Sequence, residues 1–268
     1  MKRDISAGKT PMCMKFNLAD PRGIEICGLS GLSAVWLCNE HVGNDWINLE
    51  NQIRAAKLYD MDTIVRVEKG SYSDYIKPFE ADATAIMVPH VTTAEEARHI
   101  VQMTRFHPLG RRAMDGGNID GLYCLIPTDQ YITHTNTERL LIFQIESREA
   151  LENVEEIAAV PGFDILLFGP GDFSHLIGKA GNVLDDEVVA ARKRVAAAAR
   201  SNGKMAMSPG VFNARQTLEA EGWQIFNIGA DVIGLGQYYQ QCIAAFEAQA
   251  SPQAQAQSAT QSKPGVYR

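Results

Sequence analysis

A chain of 268 residues with 46% hydrophobic and 21% charged residues has ample material for one large α/β core. Its net charge of −7 and the absence of any basic block exclude nucleic acid and an anionic membrane surface as expected partners. Five cysteines, odd in number and never spaced C-x-x-C, exclude a disulfide framework and a zinc cluster and predict reduced thiols in a cytoplasm.

In chain order, residues 1–11 are polar, carry no apolar signal core and predict a flexible arm. Residues 12–18 predict a strand, and Asp20-Pro21 opens a helix with a capping carboxylate followed by proline at the first helical position. Strands are predicted at 33–38, 63–67 and 85–88, with helices at 45–59, 73–80 and 93–106 between and after them. Residues 107–138 break the rhythm with Pro108, Gly110, Gly116, Gly117, Gly121 and Pro127 and predict a long functional or mobile loop, of which 109–124, with Arg111, Arg112, Asp115, Asp120 and Tyr123, would lie near the entrance. Alternation resumes with strands at 140–145, 164–168, 204–207 and 225–228, and helices at 147–159, after Pro170, at 185–202, 214–221 and 237–249. No run reaches the roughly 20 apolar residues that cross a bilayer. About eight strand–helix units predict a parallel sheet closed into a (β/α)₈ TIM barrel, a single domain over 12–249, followed by a disordered Gln/Ala/Ser/Pro tail over 250–268.

Strands buried on both faces expose only their ends, and parallel α/β folds place chemistry at the C-terminal ends. Two apolar runs here lead into carboxylates: Phe143-Gln144-Ile145-Glu146, and Leu167-Phe168-Gly169-Pro170-Gly171-Asp172. Glu146 and Asp172 would aim oxygen ligands at one spot, a set that suits a hard dication. The other polar strand ends are Cys38-Asn39-Glu40-His41, Arg66 and Gln144. Together they can hold a metal, move a proton and neutralise an anion, as carbon–carbon bond chemistry on a 2-oxo acid requires. No G-x-G-x-x-G follows the first strand, so a dinucleotide is not expected. Lys69 and Lys204 sit in no motif that supports Schiff-base chemistry.

Glu40-His41, Arg66, Val88-Pro89-His90, Gln144-Ile145-Glu146 and Gly169-Pro170-Gly171-Asp172-Phe173-Ser174 together resemble the HpcH/HpaI-type metal-dependent pyruvate aldolases, over roughly residues 13 to 247. The resemblance implies Glu146 and Asp172 as metal ligands for Mg²⁺, Mn²⁺ or Co²⁺, with Zn²⁺ a further option. It implies Gln144 beside the bound keto acid, Arg66 on the keto or enolate oxygen, and His41 as the base, supported by Glu80. The amides of Gly171 and Asp172 would receive the substrate carboxylate. The implied reaction is reversible cleavage of a 4-hydroxy-2-oxo acid to pyruvate, or a related 2-oxo acid such as hydroxypyruvate, and an aldehyde through a metal-stabilised enolate. It further implies a homo-oligomer, a hexamer or trimer of dimers, with the C-terminal helix exchanged between subunits. His90 reads as structural or supporting. The alternatives are oxaloacetate decarboxylation or citryl/malyl-CoA lyase-like chemistry at the same metal site, or a carboxylate-binding barrel without catalysis. Two positions depart from the family pattern: Cys38-Asn39 replaces an acidic pair, and Asp82 stands where glycine is usual.

Overall fold

The computed structural model describes residues 1–210 and 214–249; the tail predicted over 250–268 lies outside them. Eight parallel strands close into a barrel in the order β1 to β8: Met12–Phe16, Ala34–Cys38, Asp62–Arg66, Ala85–Val88, Leu140–Ile145, Ile165–Phe168, Met205–Pro209 and Ile225–Ala230. Neighbours in sequence are neighbours in space, and β1 pairs with β8 across an irregular register between Cys13 and Lys15. The (β/α)₈ expectation is met.

The two-residue period of a strand sorts its side chains into two cores. Cys13, Trp36, Ile64, Met87, Ile142, Leu167, Met207 and Ile225 fill the barrel interior. Their neighbours Val35, Val65, Ile86, Phe143, Leu166 and Phe226 face outward and pack under the ring of helices. Both faces are apolar, which is why the strands read as continuous hydrophobic runs rather than as alternating ones.

Helix starts follow local chemistry. Asp20 accepts from Arg22 N ahead of α2 (Pro21–Leu29), Asp45 from Asn48 N ahead of α3 (Trp46–Lys57), and Ser147 from Ala150 N ahead of α7 (Arg148–Glu152). Ser71 and Asp74 form a capping box at the head of α4 (Tyr72–Glu80).

Three expectations change. Residues 1–11 include a short helix, α1 (Lys2–Ser6), and Met1 and Ile5 pack against the barrel's interior cluster. Apolar burial at these two positions outweighs the polar average of the segment. Within 107–138, the predicted loop holds a 3₁₀ turn at Ile119–Cys124 and the helix α6 (Thr128–Glu138). Only Tyr131 and Thr135 of α6 are buried, so its sequence carries little apolar periodicity. The final helix, α12 (Asp231–Glu247), starts directly after β8 rather than at 237, and none of its residues is buried.

Candidate active site at the barrel mouth

The C-terminal ends of β2 to β6 bring polar side chains to one rim. Gln144 and Glu146 are two residues apart on β5 and its end, so both turn to the same side. Glu146 is 1% exposed. Its Oε2 accepts from Gln144 Nε2, and its Oε1 accepts the backbone N–H of His90 at 2.8 Å. His90 Nδ1 lies 3.0 Å from the same Oε1. Burial pushes the Glu146 carboxyl up to about 8, aided by the Asp172 carboxyl through charge and a side-chain hydrogen bond and by the charge of Glu40; the His90 N–H opposes the shift. Asp172 is thus close enough to Glu146 for its charge and a side-chain hydrogen bond to act on that carboxyl.

Asp172 reaches this spot from the first turn of α9 (Pro170–Leu176), which follows β6 after Gly169. A Cβ at Gly169 would sit 3.0 Å from both Cβ and Oε2 of Glu146 and 3.1 Å from Gln144 Nε2, so a larger residue here would push on the two side chains at the rim.

A second group of contacts centres on Glu40, just past β2. Its Oε2 is 2.9 Å from Arg66 Nε and 3.5 Å from His41 Nε2, and its Oε1 is 3.4 Å from His90 Nε2. Neither Glu40 Oε2 nor Arg66 Nε makes a directed hydrogen bond, so this pair is held by charge alone. Arg66, 4% exposed at the end of β3, donates from Nη2 to Cys38 Sγ at 3.1 Å and lies 5.0 Å over the Trp36 ring. Cys38, in place of the family's acid, thus leaves the guanidinium a weak neutral acceptor.

The predicted residues distribute as follows. Glu146, Asp172, Gln144, Arg66 and Gly171 lie at the rim, with Gly171 exposed and open space around its Cα. His41 is there too, its side chain 58% exposed and touching Glu40. Glu80 is not brought to His41. It is the last residue of α4, which runs back down the barrel, and the charges acting on it are Arg112, Asp120, Asp115 and Lys77. Burial raises its carboxyl above the ordinary range, and Arg112 Nη2 stands 3.8 Å away. The carboxylate beside His41 is Glu40.

His90 is more central than its sequence context suggests. It bridges Glu146 and Glu40 from a left-handed backbone, φ 53°, a conformation unusual for a side chain with a Cβ. The Pro89-His90 pair at the end of β4 was the available signal. The loop charges expected near the entrance are partly spent elsewhere: Arg112 Nη2 donates to Asp120 Oδ2 at 3.0 Å, and Tyr131 OH donates to the same oxygen at 2.7 Å, all three buried. Asp82 also finds its reason. Its φ is 73°, the region glycine favours, and its side chain pairs with Lys57 and Arg139 instead.

Two converging carboxylates, one of them buried with its pKa raised, form a site that a dication would relieve. Gln144 Oε1 is a further buried oxygen without a partner. This all-oxygen set fits a hard cation such as Mg²⁺ or Mn²⁺. Among the described residues no group of three or more His, Cys, Asp or Glu side chains gathers to hold an ion, so the remaining positions would fall to water and ligand. Fold and rim together define a (β/α)₈-barrel protein with a polar mouth suited to a dication and a carboxylate-bearing ligand.

Comparison with known proteins is consistent with that class. The profile of the HpcH/HpaI aldolase/citrate lyase family matches residues 13–236. A hydroxypyruvate/pyruvate aldolase of Deinococcus radiodurans is 33% identical over 66% of this chain and 64% of its own length, so the match spans just under two thirds of that relative. A 5-keto-4-deoxy-D-glucarate aldolase of Klebsiella pneumoniae is 31% identical over 80% of this chain and 84% of its own. Among solved structures, that of the citrate synthase SbnG superposes with a TM-score of 0.86 at 26% identity, covering 93% of this chain and 98% of that one. The chain belongs to the HpcH/HpaI aldolase/citrate lyase family.

Proposed function

We propose that this protein is a divalent-metal-dependent pyruvate aldolase, an aldehyde-lyase that reversibly cleaves a 4-hydroxy-2-oxo acid to pyruvate, or a related 2-oxo acid such as hydroxypyruvate, and an aldehyde. The observation that carries this reading is the convergence of Glu146 and Asp172 at the mouth beside a buried guanidinium.

Glu146 and Asp172 would hold the cation, which we take to be Mg²⁺, Mn²⁺ or Co²⁺. When bound, it supplies Lewis acidity to the carboxylate and ketone oxygens of the substrate and so acidifies C3. Arg66 offers its donors where negative charge grows on the keto oxygen. Gln144 steadies Glu146 and the ligand beside it. The backbone amides of Gly171 and Asp172 receive the substrate carboxylate. His41, oriented by Glu40, takes the proton of the C4 hydroxyl as the C3–C4 bond breaks and the aldehyde leaves. C3 then takes a proton from solvent water and pyruvate leaves with C3 as its methyl group, while His41 returns the hydroxyl proton to solvent. His90, fixed between two carboxylates, positions Glu146. The role of supporting carboxylate, expected at Glu80, belongs to Glu40 in this reading.

No helix among the described residues is long and apolar enough to cross a membrane, and a cytoplasmic enzyme fits the reduced cysteines. The apolar side chains Val232, Ile233, Tyr238, Tyr239, Ile243 and Phe246 are exposed along α12, which supports a homo-oligomer, a hexamer or trimer of dimers, in which this helix packs on another subunit. Light scattering in solution tests that assembly.

The activity is tested by exchange of pyruvate methyl protons with deuterated water and by retro-aldol cleavage, each before and after exhaustive chelation. Both are expected to vanish without metal and return with Mg²⁺, Mn²⁺ or Co²⁺. Activity that persists after chelation, or a borohydride-trapped pyruvate adduct, rejects the proposal. Oxaloacetate decarboxylation measured alongside ranks the decarboxylase reading.

A further inference from the structure

Among the described residues, buried side-chain polar atoms without a partner fall into two groups. One lines the barrel interior and its mouth and includes Glu40, Arg66 and Gln144. The other lies at the opposite end of the barrel and includes Asp120 Oδ1 and Arg139 Nε. Both of these residues line one cleft of about 430 Å³, at the small end of the roughly 300–1,000 Å³ typical of ligand sites. Arg139 directly precedes β5 and Asp82 lies ahead of β4, so the cleft opens at the N-terminal ends of the strands, away from the mouth.

The polar wall carries a surplus of positive charge. Lys57, the last residue of α3, and Arg139 share a single carboxylate: Lys57 Nζ pairs with Asp82 Oδ2, and Arg139 Nη2 with Asp82 Oδ1. Arg139 Nη1 donates to the carbonyls of Asp82 and Ala83, which leaves Nε without an acceptor. Burial lowers the pKa of His134, on α6 at the same wall, and Arg139 and Lys57 push it the same way against Glu138. Asp120 is 4% exposed, and its charge is met from behind by Arg112. Its Oδ2 accepts from Arg112 at 3.0 Å and from the Tyr131 hydroxyl at 2.7 Å, whereas its Oδ1 accepts from nothing. Ile119, Leu122 and Ile126 form the apolar side.

An unspent guanidinium N–H beside a surplus cation calls for an anion, and a buried carboxylate oxygen without a donor calls for an O–H or N–H. An ammonium donor would stand among Lys57, Arg139 and Arg112, so the donor that fits is a neutral hydroxyl. We propose that this cleft binds a small aliphatic hydroxycarboxylate, its carboxylate on Lys57 and Arg139 Nε and its hydroxyl on Asp120 Oδ1. Two cations against the one carboxylate of Asp82 match a monoanion; a phosphate, near −2 at neutral pH, calls for more positive charge than is present. Asp82, which stands where glycine is usual, bridges the two cations. The site goes beyond the aldolase reading and binds without the metal.

Equilibrium binding to the full-length protein, first without metal, tests the cleft. The probe is 3-hydroxybutyrate, which lacks the 2-oxo group that a metal at the mouth would chelate. It is expected to bind about fivefold or more tightly than butyrate, which lacks the hydroxyl, and than 1,3-butanediol, which lacks the carboxylate. Saturating Mg²⁺ with oxalate, which fills the mouth, should leave this affinity within about twofold, as for two distant and independent sites. Lys57→Met should weaken 3-hydroxybutyrate about fivefold or more, and Lys57→Arg should restore most of the loss. Ile126→Trp, which fills the apolar side and leaves every charge in place, should abolish binding. Affinity no greater than that of butyrate or of 1,3-butanediol overturns the site. So does binding that Mg²⁺ and oxalate displace, or that survives both Lys57→Met and Ile126→Trp. Wild-type protein that does not bind 3-hydroxybutyrate overturns it as well, since water alone then satisfies Asp120 and Arg139.

Discussion

Arg66 and Arg105 are both buried, at 4% and 2% exposure, and they sit at opposite ends of one barrel. Arg105 donates to the carbonyls of Gly162, Thr135 and Arg139 and pairs with Asp164, so its guanidinium is surrounded by acceptors. Arg66 has a thiol, an undirected contact with Glu40 and an aromatic ring. The first is a clamp joining α5 (Ala94–Thr104), α6 and β6 at the lower rim; the second has donors to spare for a ligand. Around Arg105 charges meet opposite charges. At the mouth, the charges of Asp172 and Glu40 both act on the buried Glu146, and the fold tolerates this like-charge pairing because a cation and a substrate complete it.

The largest expected effect comes from removing the buried carboxylate at the mouth. Glu146→Gln keeps the shape and deletes a cation ligand, so kcat/KM for metal-dependent cleavage should fall by about a thousandfold or more. Metal-free protein at pH 8 should melt no lower than wild type, because a neutral amide replaces a group that resists ionisation. A variant that retains activity within about tenfold removes Glu146 from the site. Next come the two arginines, tested as a pair. Arg66→Met should lower kcat/KM by about a hundredfold or more with little loss of stability. Arg105→Met leaves Asp164 without its buried cation and removes a donor from the carbonyls of Gly162, Thr135 and Arg139, and should cost about 3–5 kcal/mol in chemical denaturation, with activity per folded molecule retained. The opposite outcome in either variant breaks the division between clamp and site.

Titration sharpens the same contrast. Glu146 ionises near 8 in the fold against an ordinary 4.5, so across that window the native state holds a proton that the unfolded chain has released. Stability of the metal-free protein should therefore fall as pH rises from about 4.5 towards 8. Saturating Mg²⁺ should raise the melting temperature by several degrees at pH 8 and by less at pH 6, since the ion competes with that proton. Calorimetry in two buffers of different ionisation enthalpy should show proton release on Mg²⁺ binding near pH 7. Equal Mg²⁺ stabilisation at both pH values would contradict the placement of Glu146 as a ligand.

How much of this was legible before the fold depends on what each residue needs. Gln144, Glu146 and Asp172 needed only the rule that doubly buried strands expose their ends, and they converge. Arg66 needed the same rule. Glu80 failed it because it ends a helix, not a strand: nine residues of α4 carry it from the mouth back to the lower rim, where Arg112 meets it. Glu40 was visible only as the neighbour of His41, although its contacts with Arg66, His41 and His90 are what join β2, β3 and β4 at the rim. α6 was lost because TDQYITHTNTE buries only two residues, and α1 because Met1 and Ile5 pack against a cluster built from distant strands.

The smallest expected effects come from two left-handed residues, His90 with φ 53° and Asp82 with φ 73°, one at each end of the barrel. Replacing either by glycine relieves a backbone cost of about 1 kcal/mol. At His90 the backbone N–H that binds Glu146 survives the change, and only the imidazole is lost, so stability should hold or rise slightly while kcat/KM falls by about tenfold. His90→Ala, which loses the same ring and keeps the strain, should show the same kinetic loss with a lower melting temperature. At Asp82 the sign of the stability change reverses. Its carboxylate pairs with Arg139 and Lys57, and Asp82→Gly leaves a buried guanidinium short of an anion, so stability should drop by about 1–3 kcal/mol with no change in kcat/KM. Glycine that stabilises both positions, or destabilises both, would mean that the strain at His90 is not tied to its place between two carboxylates.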